Sequence, residues 1–175
     1  MSLTIFADES KSRGFRLAAT VIADRDTVRC RSEMSRLRRG PTRRIHFVKE
    51  MNSTRKAILT TIGTMPVAHL LIDVEPLHGA RDPRERALVS LVHLAHKLGA
   101  TTVVLERDPS TLEKDRRTLF AASRALEDGA GIRYRQLAAH EEPLLWIPDA
   151  IAWSWTRGGE WRQLVLAMNT QVIRI

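Results

Sequence analysis

The chain has 175 residues, of which 43% are apolar and 27% charged, and this length and composition predict one soluble globular domain. The single cysteine excludes an internal disulfide and a thiolate-only zinc cluster, and no apolar run approaches the ~20 residues that span a bilayer. The formal net charge of +8 predicts a polyanionic partner, most simply nucleic acid. With neither a secretory signal nor a membrane segment visible, we expect a cytoplasmic protein.

Strand-like and helix-like apolar patterns alternate along the chain. The predicted elements, in order, are strands over 3–8 and 14–23, a helix over 24–39, a strand over 43–48, a helix over 52–64, a strand over 67–74, a helix over 83–98, a strand over 101–105, the longest helix over 109–128, an edge strand over 132–138, helices over 144–155 and 159–168, and a strand over 171–175. We expect the early pair to be antiparallel and the later strands parallel. The pattern therefore predicts an α/β fold, a mixed β-sheet flanked by helices in a single domain over 1–175.

The first strand ends in two adjacent acids. In IFADES, residues 5–10, apolar positions lead directly into Asp8 and Glu9. Two like charges at the end of a buried strand are unfavourable unless a cation compensates them, and Mg²⁺ and Mn²⁺ prefer oxygen ligands. The alternative is a solvated turn. Because neighbours on a strand point to opposite faces, we expect Glu9 to face away from Asp8 and not to share its metal.

Further acids lie at the end of a later strand and inside an apolar helix. VVLERD contains Glu106 and Asp108, and Asp149 lies in LLWIPDAIAWSW, where a lone carboxylate is costly to bury. We predict that Asp8, Glu106 and Asp149 converge on a pair of Mg²⁺ or Mn²⁺ ions suited to phosphodiester cleavage. A salt bridge to an arginine is the alternative for Asp149. Two rival strand-end acids stay open, Asp73 and Glu75.

One histidine is a candidate for proton transfer at such a site. His46, in RRIHF, could position water, contact the scissile phosphate or accept a proton, and Glu50 could join it. The alternative for His46 is a half-buried side chain that hydrogen-bonds to the backbone. The alternative for Glu50 is a residue that begins the next helix.

Arginines cluster between residues 25 and 44. A local positive field of this kind favours contact with a phosphate backbone, with plain solvated surface as the alternative. The predicted nucleic-acid-binding residues are Arg36, Arg38, Arg39, Arg43 and Arg44.

The segments IFADES, RRIHF, VVLERD and LLWIPDAIAW, in this order, resemble a family of ribonuclease-H-like proteins known as domain of unknown function 3800. Members open with a strand ending in Asp-Glu-Ser-Gly, carry a Glu-x-His element and a later strand-end acid, and close with a helix similar to Leu-Gln-x-Ala-Asp. The resemblance covers residue 3 to about 157. It implies a ribonuclease H-like fold and a divalent-metal site whose residues are Asp8, Glu106 and Asp149, with Glu9 and His46 nearby.

The leading hypothesis is a divalent-metal-dependent nuclease that acts on nucleic acid. The alternative is a non-catalytic nucleic-acid-binding or assembly subunit, which is favoured by Arg44 where the family has a glutamate and by the altered late helix. In that case three tryptophans would form a partner surface: Trp153, Trp155 and Trp161. The alternative is that these side chains pack in the hydrophobic core. A protein partner or a second copy of the chain fits both hypotheses, as does a component of a defence or toxin complex; a membrane partner is not expected.

Overall fold

A six-stranded mixed sheet organises the structure, a computed structural model that describes residues 2–12, 14–76, 82–126 and 131–175. In spatial order the strands are β5 (Arg133–Leu137), β4 (Ala100–Glu106), β1 (Leu3–Ser10), β2 (Phe15–Ala23), β3 (Val67–Val74) and β6 (Gln171–Arg174). The pairs β1–β2 and β2–β3 are antiparallel, whereas β1–β4, β4–β5 and β3–β6 are parallel. The carboxyl ends of β1 and β4 therefore meet at the same edge of the sheet.

Helices cover both faces of the sheet, so that two cores form. The helices are α1 (Thr27–Leu37), α2 (Asn52–Gly63), α3 (Pro83–Lys97), α4 (Leu112–Arg124), α5 (Trp146–Arg157) and α6 (Gly159–Ala167). Along β1 the side chains alternate, so that Phe6 packs with α1, α2, α5 and α6, whereas Ile5 and Ala7 pack with α3 and α4. Short 3-10 turns lie at Asp24–Asp26, Phe47–Lys49 and Pro143–Leu145. This arrangement confirms the predicted fold class, a mixed sheet flanked by helices.

The strand predicted over 43–48 is wrong. Residues 43–46 form no regular element, and a 3-10 turn follows over Phe47–Lys49. The alternation that suggested a strand is real, because Ile45 and Phe47 are buried in the α5-side core. Within the part of the chain that the structure describes, however, no strand pairs with this segment, which buries those two side chains as a loop. Residue 46 therefore enters the site from a loop rather than from the sheet.

Two smaller differences concern the length of a helix and the direction of a strand. Helix α4 ends at Arg124, so that α3, with 15 residues, is the longest of the helices described, and the tail of the predicted 109–128 helix lies partly outside the described residues. Strand β3 is antiparallel to β2, because two successive helices, α1 and α2, return the chain to the end of the sheet it had left.

Within the described part of the chain, no helix is both long and apolar enough to cross a membrane.

Candidate functional site

Strand register brings two of the predicted acids side by side. β1 and β4 are parallel neighbours, and their register pairs Ala7 with Leu105, so that the next residues, Asp8 and Glu106, come alongside each other. Two residues earlier, Phe6 and Val104 face the α5 core. Since side chains alternate along a strand, Asp8 and Glu106 also project toward α5.

Helix α5 supplies the third acid, Asp149, from its first turn. Leu144 and Leu145 of the preceding turn and most of α5 are apolar and buried, and this anchors the helix across β1. The backbone N–H of Phe47 donates a hydrogen bond to the Asp149 carboxylate. Burial, followed by the negative charge of Glu106, nevertheless raises the pKa of Asp149 to about 6. Asp149 therefore lies within the electrostatic field of the strand-end acids.

Asp8 is the most perturbed member of the group. Burial is the largest cause that raises its pKa well above the ordinary range, and the charges of Glu106 and Asp149 follow. A hydrogen bond between the Asp8 and Glu106 carboxyl groups contributes in the same direction, because the Asp8 O–H donates to Glu106 only while Asp8 is protonated. Three acids from β1, β4 and α5 thus share one small region, and Asp8 interacts with both others.

An arginine already pairs with one of these acids. Arg44 Nη1 lies 3.0 Å from Glu106 Oε1, and the same guanidinium approaches the His46 ring nitrogens to 2.9 Å. Burial and then the Arg44 charge lower the pKa of His46. His46 is therefore neutral at pH 7 and stands beside the acids as a potential proton acceptor. Arg44, which we predicted to contact phosphate, is a partner of the acid group itself.

The donor set suits a hard divalent cation, since all three acids offer carboxylate oxygens and their mutual repulsion is relieved by added positive charge. Among the described residues, however, no three His, Cys, Asp or Glu side chains are arranged as a ready cluster of metal ligands. The Arg44 ion pair gives a physical reason, because it holds Glu106 with a side chain of this protein. The residues fit a divalent ion in chemistry, and an ion that binds there must displace Arg44 from Glu106 or share that carboxylate with it.

Glu9 and Asp108 project elsewhere. Glu9 pairs with Arg84 of α3, on the opposite face of the sheet, and with Lys11 at 2.9 Å. Lys11 also reaches Asp108 at 3.2 Å, and hydrogen bonds from Ser110 and Lys11 lower the pKa of Asp108 to about 2. The structure does not bring these two acids to Asp8, and the expectation that Glu9 faces away from Asp8 matches its position.

The other predicted residues surround the site at different distances. Glu50 follows the 3-10 turn and lies near His46. Its negative charge acts to raise the pKa of His46, but the combined effect of burial and the nearby cations is larger and lowers that pKa. The rival acid Asp73 pairs with Arg16 at 2.9 Å, two strands from β1. The exposed arginines of the predicted nucleic-acid surface lie at the end of α1 and in the loop after it: Arg36, Arg38, Arg39 and Arg43.

Sequence reasoning missed the contacts that depend on tertiary placement. No pattern showed that the Phe47 N–H would reach Asp149, nor that the Arg44 side chain would turn toward Glu106. One signal was present, since Arg44 stands where the resembled family has an acid, and a cation there is well placed to meet the remaining acids.

The sheet order and the helices on both faces define a ribonuclease H-like fold. Ribonuclease HII of Archaeoglobus fulgidus, solved in a complex with PCNA, has the same fold with a TM-score of 0.59; the match covers 89% of this chain and 73% of that one at 15% sequence identity. No protein-family model matches the sequence, and no curated protein is significantly similar to it. The ribonuclease H-like fold is thus confirmed, whereas the resemblance to domain of unknown function 3800 stays a prediction.

Proposed function

We propose that the chain is a divalent-metal-dependent nuclease, with Asp8, Glu106 and Asp149 holding Mg²⁺ or Mn²⁺. The observation that carries the proposal is the approach of three carboxyl groups from β1, β4 and α5 at one edge of the sheet, where burial and mutual repulsion raise the pKa values of Asp8 and Asp149. Structural acids are usually neutralised by paired cations, but this group has more acids than the single Arg44 guanidinium can neutralise. An excess of partly buried carboxyl groups is the condition under which a divalent cation binds well.

Each side chain has a definite role in this proposal. When bound, divalent ions at this position supply a water of lowered pKa and stabilise negative charge on the phosphate. Asp8 interacts electrostatically with both other acids and would bind the metal together with them. His46, neutral because its pKa is lowered, can orient a water molecule or accept its proton. Arg44 can contact a substrate phosphate from its place beside Glu106.

Two broader features support nucleic acid as the substrate. One is the fold, which this chain shares with a protein named as a ribonuclease, an enzyme class that acts on nucleic acid. The net charge of +8 and the exposed arginines after α1 favour a polyanion, and a phosphate backbone is the commonest one. Nothing in the acid group reads a base, so the proposal carries no sequence specificity.

The test is cleavage of labelled single-stranded, duplex and RNA–DNA hybrid substrates with Mg²⁺ or Mn²⁺. Asp8→Asn should lower the rate by more than about 100-fold, since loss of even an outer-shell partner of a metal ligand costs about 10–100-fold. Asp108→Asn is the matched control, because Asp108 is also a strand-end acid but pairs with Lys11 and Ser110. Equal cutting by wild type and Asp8→Asn contradicts the proposal.

A second candidate is a non-catalytic nucleic-acid-binding or assembly subunit. The Arg44–Glu106 ion pair favours it, because a side chain that permanently neutralises Glu106 would make a metal ion unnecessary. In that case binding to nucleic acid would fall steeply with salt but would not respond to chelator or to Asp149→Ala. A protein partner or a second copy of the chain stays a prediction under either candidate.

A further inference from the structure

A pocket beside the acid group has both polar and apolar walls and a volume of about 480 Å³. It opens between the end of β1, the start of α2 and the last turns of α5. The residues that define its chemistry are Ser10, Asn52, Arg55, Trp153, Thr156 and Arg157. The acid site and the predicted arginine surface do not include it, so it is an unassigned feature of the molecule.

One wall of the pocket is a fixed aromatic and guanidinium stack. The Arg55 guanidinium lies 4.3 Å from the centre of the Trp153 ring, and Trp153 packs edge-on against Phe47 and Trp161. Three hydrogen bonds hold Arg55, to the carbonyl oxygens of Phe47 (2.9 Å) and Val48 (2.6 Å) and to Asn52 Oδ1 (2.8 Å). A rigid, planar, cationic surface of this kind suits stacking of an unpaired nucleic-acid base.

Free positive charge lines the same pocket, one helical turn beyond Trp153 on α5. Arg157 is exposed at the end of α5, and within the described residues it has neither a hydrogen bond nor an ion pair. The described lining contains two arginines and no acid, whereas the pocket beside α3 contains a glutamate, Glu85. Together with the hydroxyls of Ser10 and Thr156, this charge pattern suits a phosphate group.

The pocket adjoins the acid group through three connections. Ser10 lies two residues beyond Asp8 on β1. The hydroxyl of Thr156 on α5 donates a hydrogen bond of 3.2 Å to the Ser10 hydroxyl. Trp153 is four residues after Asp149 on α5, which is about 6 Å along the helix axis. The Phe47 that contacts Trp153 also donates its N–H to Asp149. A nucleic-acid strand with a phosphate at the acids would place its neighbouring nucleotide here.

We infer that this pocket binds one unpaired nucleotide of a single-stranded segment, its base on the Arg55–Trp153 stack and its phosphate at Arg157. The inference rests on the proposed function for its substrate class, but it concerns binding and needs no cleavage. A concave pocket of this size admits a single nucleotide, so the strand must be unpaired at this point. The chain is thus expected to prefer single-stranded or locally opened nucleic acid.

The test uses the full-length chain in EDTA and fluorescence anisotropy of labelled single-stranded and duplex oligonucleotides of equal length. Arg157→Ala should weaken single-strand binding about fivefold and Arg157→Glu about 30-fold, with a smaller effect on duplex. Arg117, exposed on α4 at the opposite face, is the control, and Arg117→Ala and Arg117→Glu should change affinity less than twofold. Trp153→Phe keeps an aromatic side chain against Phe47 and should weaken single-strand binding. Its circular dichroism spectrum should match that of wild type, which shows that the variant is folded.

The outcomes separate this inference from the nuclease proposal. Loss of binding in Arg157→Glu, with no cleavage by wild type, supports the pocket and contradicts the nuclease. Cleavage with an unchanged KM in Arg157→Glu overturns the pocket and leaves the nuclease standing. Equal effects of the Arg157 and Arg117 variants, or competition by a poly-glutamate peptide as effective as that by the oligonucleotide, also overturn the pocket as a nucleotide site.

Discussion

At the scale of single residues, Asp149 is a carboxylate that the fold destabilises. Its ordinary pKa of 3.8 rises to about 6 because burial and Glu106 disfavour its charge. Between these two values the folded chain binds more protons at Asp149 than the unfolded chain does, so stability falls as pH rises through this window. Above pH 6 the charged Asp149 opposes folding by at most about 3 kcal/mol, since one pKa unit corresponds to about 1.4 kcal/mol.

Asp149→Asn should therefore melt at a higher temperature than wild type at pH 7.5 in EDTA, by several degrees. At pH 4 the two proteins should melt at similar temperatures, because Asp149 is then protonated in the folded chain. Differential scanning calorimetry at both pH values measures the difference. A lower melting temperature for Asp149→Asn at pH 7.5 would show that its carboxylate stabilises the fold.

Asp108→Asn is a control for which we expect the opposite change in melting temperature. Its carboxylate accepts hydrogen bonds from Ser110 and Lys11, and its folded pKa of about 2 lies below the ordinary value. Its stabilising contribution is present above the ordinary pKa and is lost as pH falls toward 2. Asp108→Asn should thus melt slightly below wild type at pH 7.5, where Asp149→Asn melts above it.

Arg44 competes with any other cation for Glu106. Its guanidinium lies 3.0 Å from Glu106, so a divalent ion at the acid group must displace it or share the carboxylate. Arg44→Ala removes this competitor and should tighten Mn²⁺ binding about tenfold, equivalent to about 1.4 kcal/mol. Isothermal titration calorimetry with Mn²⁺ alone measures it.

Arg43→Ala is the matched control for Arg44→Ala, because Arg43 is the exposed neighbour in the same loop. It should leave Mn²⁺ affinity unchanged. If Arg44→Ala instead weakens Mn²⁺ binding, Arg44 supports the acid arrangement rather than opposing the ion.

At the scale of elements, β1 and β4 were predictable from their apolar runs, but β1 continues to Ser10, two residues past the predicted end, and includes Asp8 and Glu9. The loop over residues 43–46 was not predictable, because Ile45 and Phe47 alternate in burial as they would on a strand. Alternation reports which side chains are buried, whereas a strand also requires a hydrogen-bonded neighbour that only the assembled sheet defines. Arg44 and His46 consequently approach the acids from a loop, and their contacts could not be derived from strand periodicity.

A buried ion network fixes the end of β1 to two helices. Arg84 of α3 is 7% exposed and makes two hydrogen bonds, of 2.7 and 2.8 Å, to Asp115 of α4, which is 2% exposed. Arg84 also pairs with Glu9, next to Asp8. The network therefore positions the strand end that carries Asp8, from the face opposite the acid group.

Arg84→Met should destabilise the protein by about 3–5 kcal/mol, because it leaves Asp115 buried without its partner. Urea denaturation followed by tryptophan fluorescence measures the change. Lys114→Met is the control, since Lys114 pairs with Asp82 at the surface, and it should have little effect. Equal losses in both variants would show that burial of the network contributes no special stability.

At the scale of the whole molecule, the fold class followed from the order of elements, since a hairpin and alternating helices and strands allow few topologies. The closeness of Asp8 to Glu106 depends on the parallel pairing of β1 with β4, which is a tertiary contact, and the direction of β3 could not be predicted either. That direction depends on how α1 and α2 pack together, and such packing has no signature in local periodicity. The pocket at Arg157 was likewise invisible, because its walls come from segments over 140 residues apart.

The positive charge of the molecule, +8 in total, has an exposed cluster at one place. Four arginines at the end of α1 and in the following loop face solvent and have no ion pair among the residues described: Arg36, Arg38, Arg39 and Arg43. If they contact phosphates, their replacement by alanine should flatten the plot of log affinity against log salt concentration. Each lost contact reduces the slope by about 0.7 for a single strand and about 0.9 for a duplex.

A charge-matched variant separates local contact from net charge. It replaces four exposed arginines of α4 and β5, and these are Arg117, Arg124, Arg133 and Arg135. Both variants lose four positive charges, so general attraction falls equally in both. Anisotropy titrations with labelled oligonucleotides between 50 and 300 mM salt (roughly the range over which counterion release is measured) should show the smaller slope only for the α1 cluster. Equal slopes would assign the binding to the overall charge of the protein and not to this surface.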